Sequence, residues 1–103
     1  MPKFLFAYHG GSVPQTDAEQ AEVMQAWGAW YGALGESVID GGAPVGQSHT
    51  VSADGTVENG GANPVSGYTL VEAADYADAV AKAKGCPILA GGGSVEVAQA
   101  MEM

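Results

Sequence analysis

The stretch Lys3-Phe4-Leu5-Phe6-Ala7-Tyr8-His9 decides the architecture of this chain. Side chains alternate across a strand, so Phe4, Phe6 and Tyr8 share one face and Leu5, Ala7 and His9 the other. Both sets are largely apolar, which marks Lys3–Tyr8 as a strand covered on two sides. The strand ends at His9, where Gly10-Gly11-Ser12-Val13-Pro14 breaks the pattern.

Downstream, Thr16-Asp17-Ala18-Glu19 has capping-box spacing, in which hydroxyl and carboxylate each satisfy a free backbone N–H. Val23, Met24, Trp27, Trp30, Tyr31 and Leu34 recur at three- and four-residue steps, the apolar stripe of a first helix that Gly35 ends. Ser37–Asp40 predicts a short strand running into Gly41-Gly42-Ala43-Pro44. Thr50–Ala53 and Thr56–Glu58 flank Asp54-Gly55, a hairpin signal. Tyr68–Val71 predicts another strand, and Asp75 caps a second helix to about Lys84 with Tyr76, Ala77, Val80 and Ala83 inward. After Gly91-Gly92-Gly93, Ser94–Met103 alternates as a last strand, with Val95, Val97, Met101 and Met103 on one side.

The order strand, helix, strand, hairpin, strand, helix, strand predicts an α+β sandwich of the ferredoxin-like kind, with two helices on one face of an antiparallel sheet. A chain of 103 residues holds one domain, assigned to residues 1–103. Its core is thin, and the first strand is apolar on the face the helices leave bare. Pairing with a second copy is the simplest way to cover that face, so a homodimer is expected.

Composition removes several partner classes. Twelve acidic side chains against three lysines, with no arginine, give a formal net charge of −9. Binding nucleic acid or an anionic membrane requires clustered cations, which this chain lacks. No apolar run approaches the ~20 residues of a membrane span, and the apolar opening is too short for a signal-peptide core. The single cysteine, Cys86, rules out an intrachain disulfide framework and fits a reducing, cytoplasmic setting.

Several segments taken together carry a family resemblance. They are Lys3–Tyr8, Leu34-Gly35-Glu36-Ser37-Val38-Ile39-Asp40-Gly41-Gly42-Ala43-Pro44, Asp54–Gly60, Ser66–Ala73, Ala79–Pro87 and Val95-Glu96-Val97. In order and spacing the chain resembles the YCII-related family, in particular its branch with a DGPF motif, over nearly its whole length. The resemblance implies a dimeric α+β barrel, two sheets closing around a shared interior with a cleft beside each, and enzyme roles like those of muconolactone-isomerase relatives. Two departures qualify it. Asn59-Gly60-Gly61-Ala62 stands where relatives have Asp-Gly-Pro-Phe. The histidine–aspartate dyad of some members has no counterpart, since the first helix carries Trp27 and Trp30 and the second ends in Gly85-Cys86-Pro87.

Catalytic chemistry would therefore rest on other residues. His9 and Asp40 each stand at a strand end, and in neighbouring strands the carboxylate would orient the imidazole as a general base. The alternative is a histidine bonded to a loop carbonyl and an aspartate capping a turn. His49 reads as a surface loop residue, and Cys86 as a buried packing thiol. Two distant histidines and one cysteine offer no metal-ligand spacing, so neither metal nor cofactor is expected.

Trp27, Trp30 and Tyr31 place three large rings within five positions, more than a two-helix layer needs for filling. With Tyr8 and Tyr68 they are the candidate lining of a cavity for a small aromatic or lactone-like molecule. His9-Gly10-Gly11 lacks the nucleophile elbow of an esterase, and Gly91-Gly92-Gly93-Ser94 lacks the Gly-Lys-Ser/Thr ending of a phosphate loop. Two functions fit these residues. One is a proton-transfer isomerase or lyase using His9 and Asp40; the other is a non-catalytic ligand-binding or dimeric assembly module.

Overall fold

The computed structural model describes residues 1–101. The main sheet has four strands: β1 (Lys3–His9), β2 (Val38–Pro44), β5 (Val65–Glu72) and β6 (Ser94–Gln99). Their order is β2-β5-β1-β6, and every neighbouring pair is antiparallel. A separate two-stranded hairpin, β3 (Thr50–Ser52) and β4 (Gly55–Val57), is inserted between β2 and β5. Helices α1 (Asp17–Leu34) and α2 (Tyr76–Ala83) complete an α+β arrangement compatible with the ferredoxin-like sandwich.

Both helices cover one sheet face. The rings of Phe4, Phe6 and Tyr8 alternate toward them: Phe4 meets Tyr76 of α2 edge-on at 5.0 Å, Phe6 stacks on Trp30 of α1 at 6.1 Å, and Tyr8 meets Trp27 at 5.2 Å. Phe4, Phe6, Val71, Ala73 and Ala79 are fully buried there. Trp30 Nε1 donates to the Lys82 carbonyl (3.0 Å), tying α1 to the end of α2.

The two helix starts share one device. In α1, Thr16 Oγ1 accepts from Glu19 N and Glu19 Oε2 from Gln15 N. In α2, Asp75 Oδ1 accepts from Asp78 N and Asp78 Oδ2 from Ala74 N. Each is a capping box whose returning carboxylate reaches one residue further back than the cap, satisfying a free donor there. Asp78 also accepts from Lys82 Nζ at 2.7 Å, one helical turn on.

That lysine hydrogen bond, joined by the Ala74 N–H, holds the Asp78 carboxyl below its usual range. A carboxyl lowered in the folded state contributes stability above its unfolded value, and the contribution is lost as pH falls through the folded one. The first turn of α2 should therefore loosen at strongly acid pH, seen as backbone amide shifts over residues 75–79. Asp78→Asn should weaken that turn at neutral pH and remove this acid step.

Several boundaries differ from expectation. β2 runs on through Gly41-Gly42-Ala43-Pro44 because the long β5 supplies partners as far as Gly67, with register shifts on the way. The hairpin turn lies one residue early, over Ala53-Asp54, with Ser52 opposite Gly55. β6 stops at Gln99 because its only neighbour, β1, begins at Lys3, whose carbonyl already takes the N–H of Ala100. Met101, expected inward, is exposed, and Met103 lies outside the described residues.

On α1 the buried stripe is narrower than expected, since Val23 and Met24 face solvent. On α2 the inward residues are Ala79 and Ala83, while Ala77 and Val80 are exposed and Tyr76 is half exposed. The Phe4 ring meets Tyr76 at the start of α2, and Ala79 and Ala83 are the α2 residues buried in the same core cluster.

Candidate functional site

A cavity of about 690 Å³ opens between α1 and the β2–β5 edge of the sheet. Trp27 and Tyr31 of α1, Tyr8 of β1 and Tyr68 of β5 all line it, bringing together four of the five aromatic residues expected at a ligand site. The fifth, Trp30, does not line it; one position further round the helix, it is buried against Phe6. Trp27, Trp30 and Tyr31 pack on one another with ring centroids 5.4–5.9 Å apart.

The rest of the lining is largely backbone. β2 contributes Gly41, Gly42, Ala43 and Pro44, and β5 contributes Ser66 and Gly67. Gly42 makes this wall possible. Its φ is +69°, and a Cβ there would overlap the Tyr68 carbonyl. Asp40 Oδ1 accepts from Gly42 N at 2.8 Å and holds the bend. The bend carries the Gly41 carbonyl to the aromatic side chains.

Three hydroxyls converge with that carbonyl. Tyr8 OH donates to Thr69 Oγ1 (2.7 Å), Thr69 Oγ1 donates to Gly41 O (3.1 Å) and Tyr31 OH donates to Gly41 O (3.0 Å). Tyr31 OH also lies 3.1 Å from Thr69 Oγ1. Burial pushes the Tyr8 phenol well above its usual pKa, which outweighs the hydrogen bond to Thr69, so Tyr8 keeps its proton. Apart from the tyrosine phenols, no lining residue is ionisable. Ser66 Oγ is buried without a hydrogen-bond partner, the one such side-chain atom found among the described residues.

The expected His9–Asp40 pair does not form. β5 lies between their strands, and each residue is engaged elsewhere. His9 Nδ1 sits 3.1 Å from Asn63 O and 3.2 Å from Pro64 O, and Nε2 sits 3.0 Å from Glu96 Oε1. Both ring nitrogens face protein oxygens, so the imidazole is a clamp between β6 and the loop before β5. Asp40 caps its own turn. Neither residue lines the cavity.

Cys86 is buried beside Tyr8, and burial raises its thiol pKa. Its reaction with a water-soluble disulfide reagent should be slower in the native protein than in urea by on the order of 100-fold or more. Among the described residues no helix is long and apolar enough to cross a membrane, and no group of three or more His, Cys, Asp or Glu side chains could hold a metal ion.

Sequence reasoning missed Ser66, Thr69 and Gly41. A serine or threonine within a strand gives no local signal, and Gly41-Gly42 read as the end of a strand instead of a bend inside one. Val38 of β2, Ile88 of the short turn Pro87–Gly91 and Gly35 at the end of α1 complete the wall. Comparison of the chain with protein-family models, with curated proteins and with solved structures gives no match.

Proposed function

We propose that this chain binds a small, uncharged, aromatic or lactone-like molecule in the cavity between α1 and the β2–β5 edge, as a ligand-binding module of YCII-related type. The observation that carries the reading is the gathering of Tyr8, Trp27, Tyr31 and Tyr68 around about 690 Å³ of space with no lysine, histidine or carboxylate in the lining. Cavities of this size with an apolar wall and few polar groups hold drug-sized molecules. The strand order is compatible with a ferredoxin-like sandwich, the fold that the YCII resemblance implies.

Titration of the protein with bicyclic aromatic compounds, followed by tryptophan fluorescence and melting temperature, tests the proposal. Saturable quenching with a rise in melting temperature supports it, because a ligand selective for the native state stabilises that state. Val38→Phe, which narrows the cavity, should abolish both effects while circular dichroism stays native. Absence of saturable binding across such a series would sink the reading.

The proposal extends to pairing of two copies through the bare sheet face. Leu5 on that face is 38% exposed, with Leu70 in register opposite it and Ala7 two positions on along β1. The radius of gyration is 14.8 Å, against about 13 Å for a compact domain of 100 residues. Its thinnest extent is 19 Å, the thickness of one helix layer on one sheet. Sedimentation equilibrium at micromolar concentration should give a dimer, and Leu5→Glu should shift it to monomer. A monomeric parent protein at that concentration rules the pairing out.

A further inference from the structure

The loop between β4 and β5 carries both asparagines of the chain, Asn59 and Asn63, and the residues that follow them differ decisively. Gly60 has a backbone N–H and no side chain to shield it, whereas Pro64 has no backbone N–H at all. The nitrogen that follows an asparagine can displace the side-chain amide only if it carries a hydrogen to lose. That reaction is open at Asn59 and closed at Asn63.

The folded loop places Asn59 for it. Asn59 Oδ1 accepts from Gly61 N at 2.9 Å, which folds the carboxamide back along the peptide units that follow. The same N–H faces the oxygen on which negative charge develops when Cγ is attacked, the position of an oxyanion donor. Gly60 N–H donates to no acceptor among the described residues, so the nucleophile is not held elsewhere. Asn59 is exposed to water. Gly60 is closely packed: a Cβ there would lie 2.6 Å from that of Pro64 and 2.9 Å from that of Ser48. The packing of the loop therefore calls for glycine at the position that makes Asn59 reactive.

We infer that Asn59 is a self-modification site, converted to aspartate and isoaspartate without an enzyme. Hydroxide takes the Gly60 N–H hydrogen, the nitrogen bonds to Asn59 Cγ, and the bond from Cγ to the amide nitrogen breaks. The departing NH2 takes a hydrogen from water, leaving as ammonia and returning the hydroxide, and a cyclic imide remains. Water then opens the ring. Attack at Cγ gives ordinary aspartate, and attack at the backbone carbon gives isoaspartate. Either product makes the formal net charge of −9 one unit more negative.

The isoaspartyl product also lengthens the backbone by one atom inside a loop fastened at both ends. Thr50 Oγ1 donates to Asn59 O at 2.6 Å, and His9 Nδ1 lies 3.1 Å from Asn63 O and 3.2 Å from Pro64 O. Aspartate keeps the original path, and its carboxylate still accepts from Gly61 N. One product changes charge alone; the other changes charge and spacing.

The test incubates the intact protein for weeks in mildly alkaline buffer, folded and in urea, followed by ion exchange and peptide mapping. The expected result is an acidic species shifted by one charge, its amide loss confined to Asn59 and absent at Asn63. Asp54-Gly55 can form the same ring without a change of charge, so it does not enter this reading. Conversion of Asn59 should be at least as fast in the folded protein as in urea. Slower conversion in the folded protein, or equal amide loss at Asn63, overturns the proposal. Asn59→Asp should start at the acidic position and gain no further charge; an acidic shift in that variant places the reaction elsewhere and also overturns it. In the purified isoaspartyl species the backbone amides of Thr50 and Val65 should shift from their positions in Asn59→Asp. Coincident amides would overturn the lengthened path.

Discussion

Phe6→Ala is expected to lower the free energy of unfolding by about 3–5 kcal/mol, the range for truncating a buried phenylalanine. Phe6 is fully buried at the centre of β1, stacked on Trp30, with strands on both sides. A chain of this length has roughly 5–15 kcal/mol in total, so the loss takes about a fifth of it or more. Urea titration followed by tryptophan fluorescence measures the effect directly. The adjacent position supplies the contrast: Leu5 lies on the opposite, open face, and Leu5→Ala in the isolated chain should cost under about 1 kcal/mol. Similar losses at the two positions would mean that the open face is covered within a single chain, contrary to the packing described above.

Gly42→Ala should be as severe as the loss of Phe6, for a backbone reason. A non-glycine residue at this positive φ costs about 1–3 kcal/mol by itself. The added methyl also overlaps the Tyr68 carbonyl, and no change of rotamer relieves a clash made by Cβ. The strand must shift, and the Gly41 carbonyl shifts with it. The variant should therefore lose about 3 kcal/mol or more of stability and lose ligand binding together. Gly41→Ala is the control, since a Cβ there meets nothing within 4 Å and its φ is ordinary. A Gly42→Ala protein as stable as the parent would show that the bend in β2 adapts freely.

What the sequence reveals here divides along a physical line. Local chemistry is legible: Thr16 and Asp75 each cap the helix expected of them, and Gly35 closes the first with a φ of +57°. The turn between Ser52 and Gly55 is likewise signalled within a few residues, though its centre lies one position from the expected place. Long-range pairing is not legible in the same way. Placing β5 between β1 and β2 separates His9 from Asp40, and no residue near either position announces it.

The candidate site shows the same division. Trp27 and Tyr31 stand out by their bulk and spacing on one helix, so the aromatic wall could be anticipated. The polar cluster could not, because it joins Tyr8, Tyr31, Gly41 and Thr69 from four separate elements. It depends on a bend whose two glycines look like an ordinary loop. The second helix is misread for a further reason. Its inward face is made by its small residues Ala79 and Ala83, and not by its largest apolar ones, Tyr76 and Val80.

The β3–β4 hairpin forms its own small sheet, and all six of its strand residues are exposed. Two strands alone are marginally stable in water, so this ribbon opens more readily than the sheet that carries the cavity. It is therefore the natural seam for splicing in foreign sequence: a peptide grafted between Ala53 and Asp54, or new chain ends created there, would leave the sandwich and its hollow undisturbed.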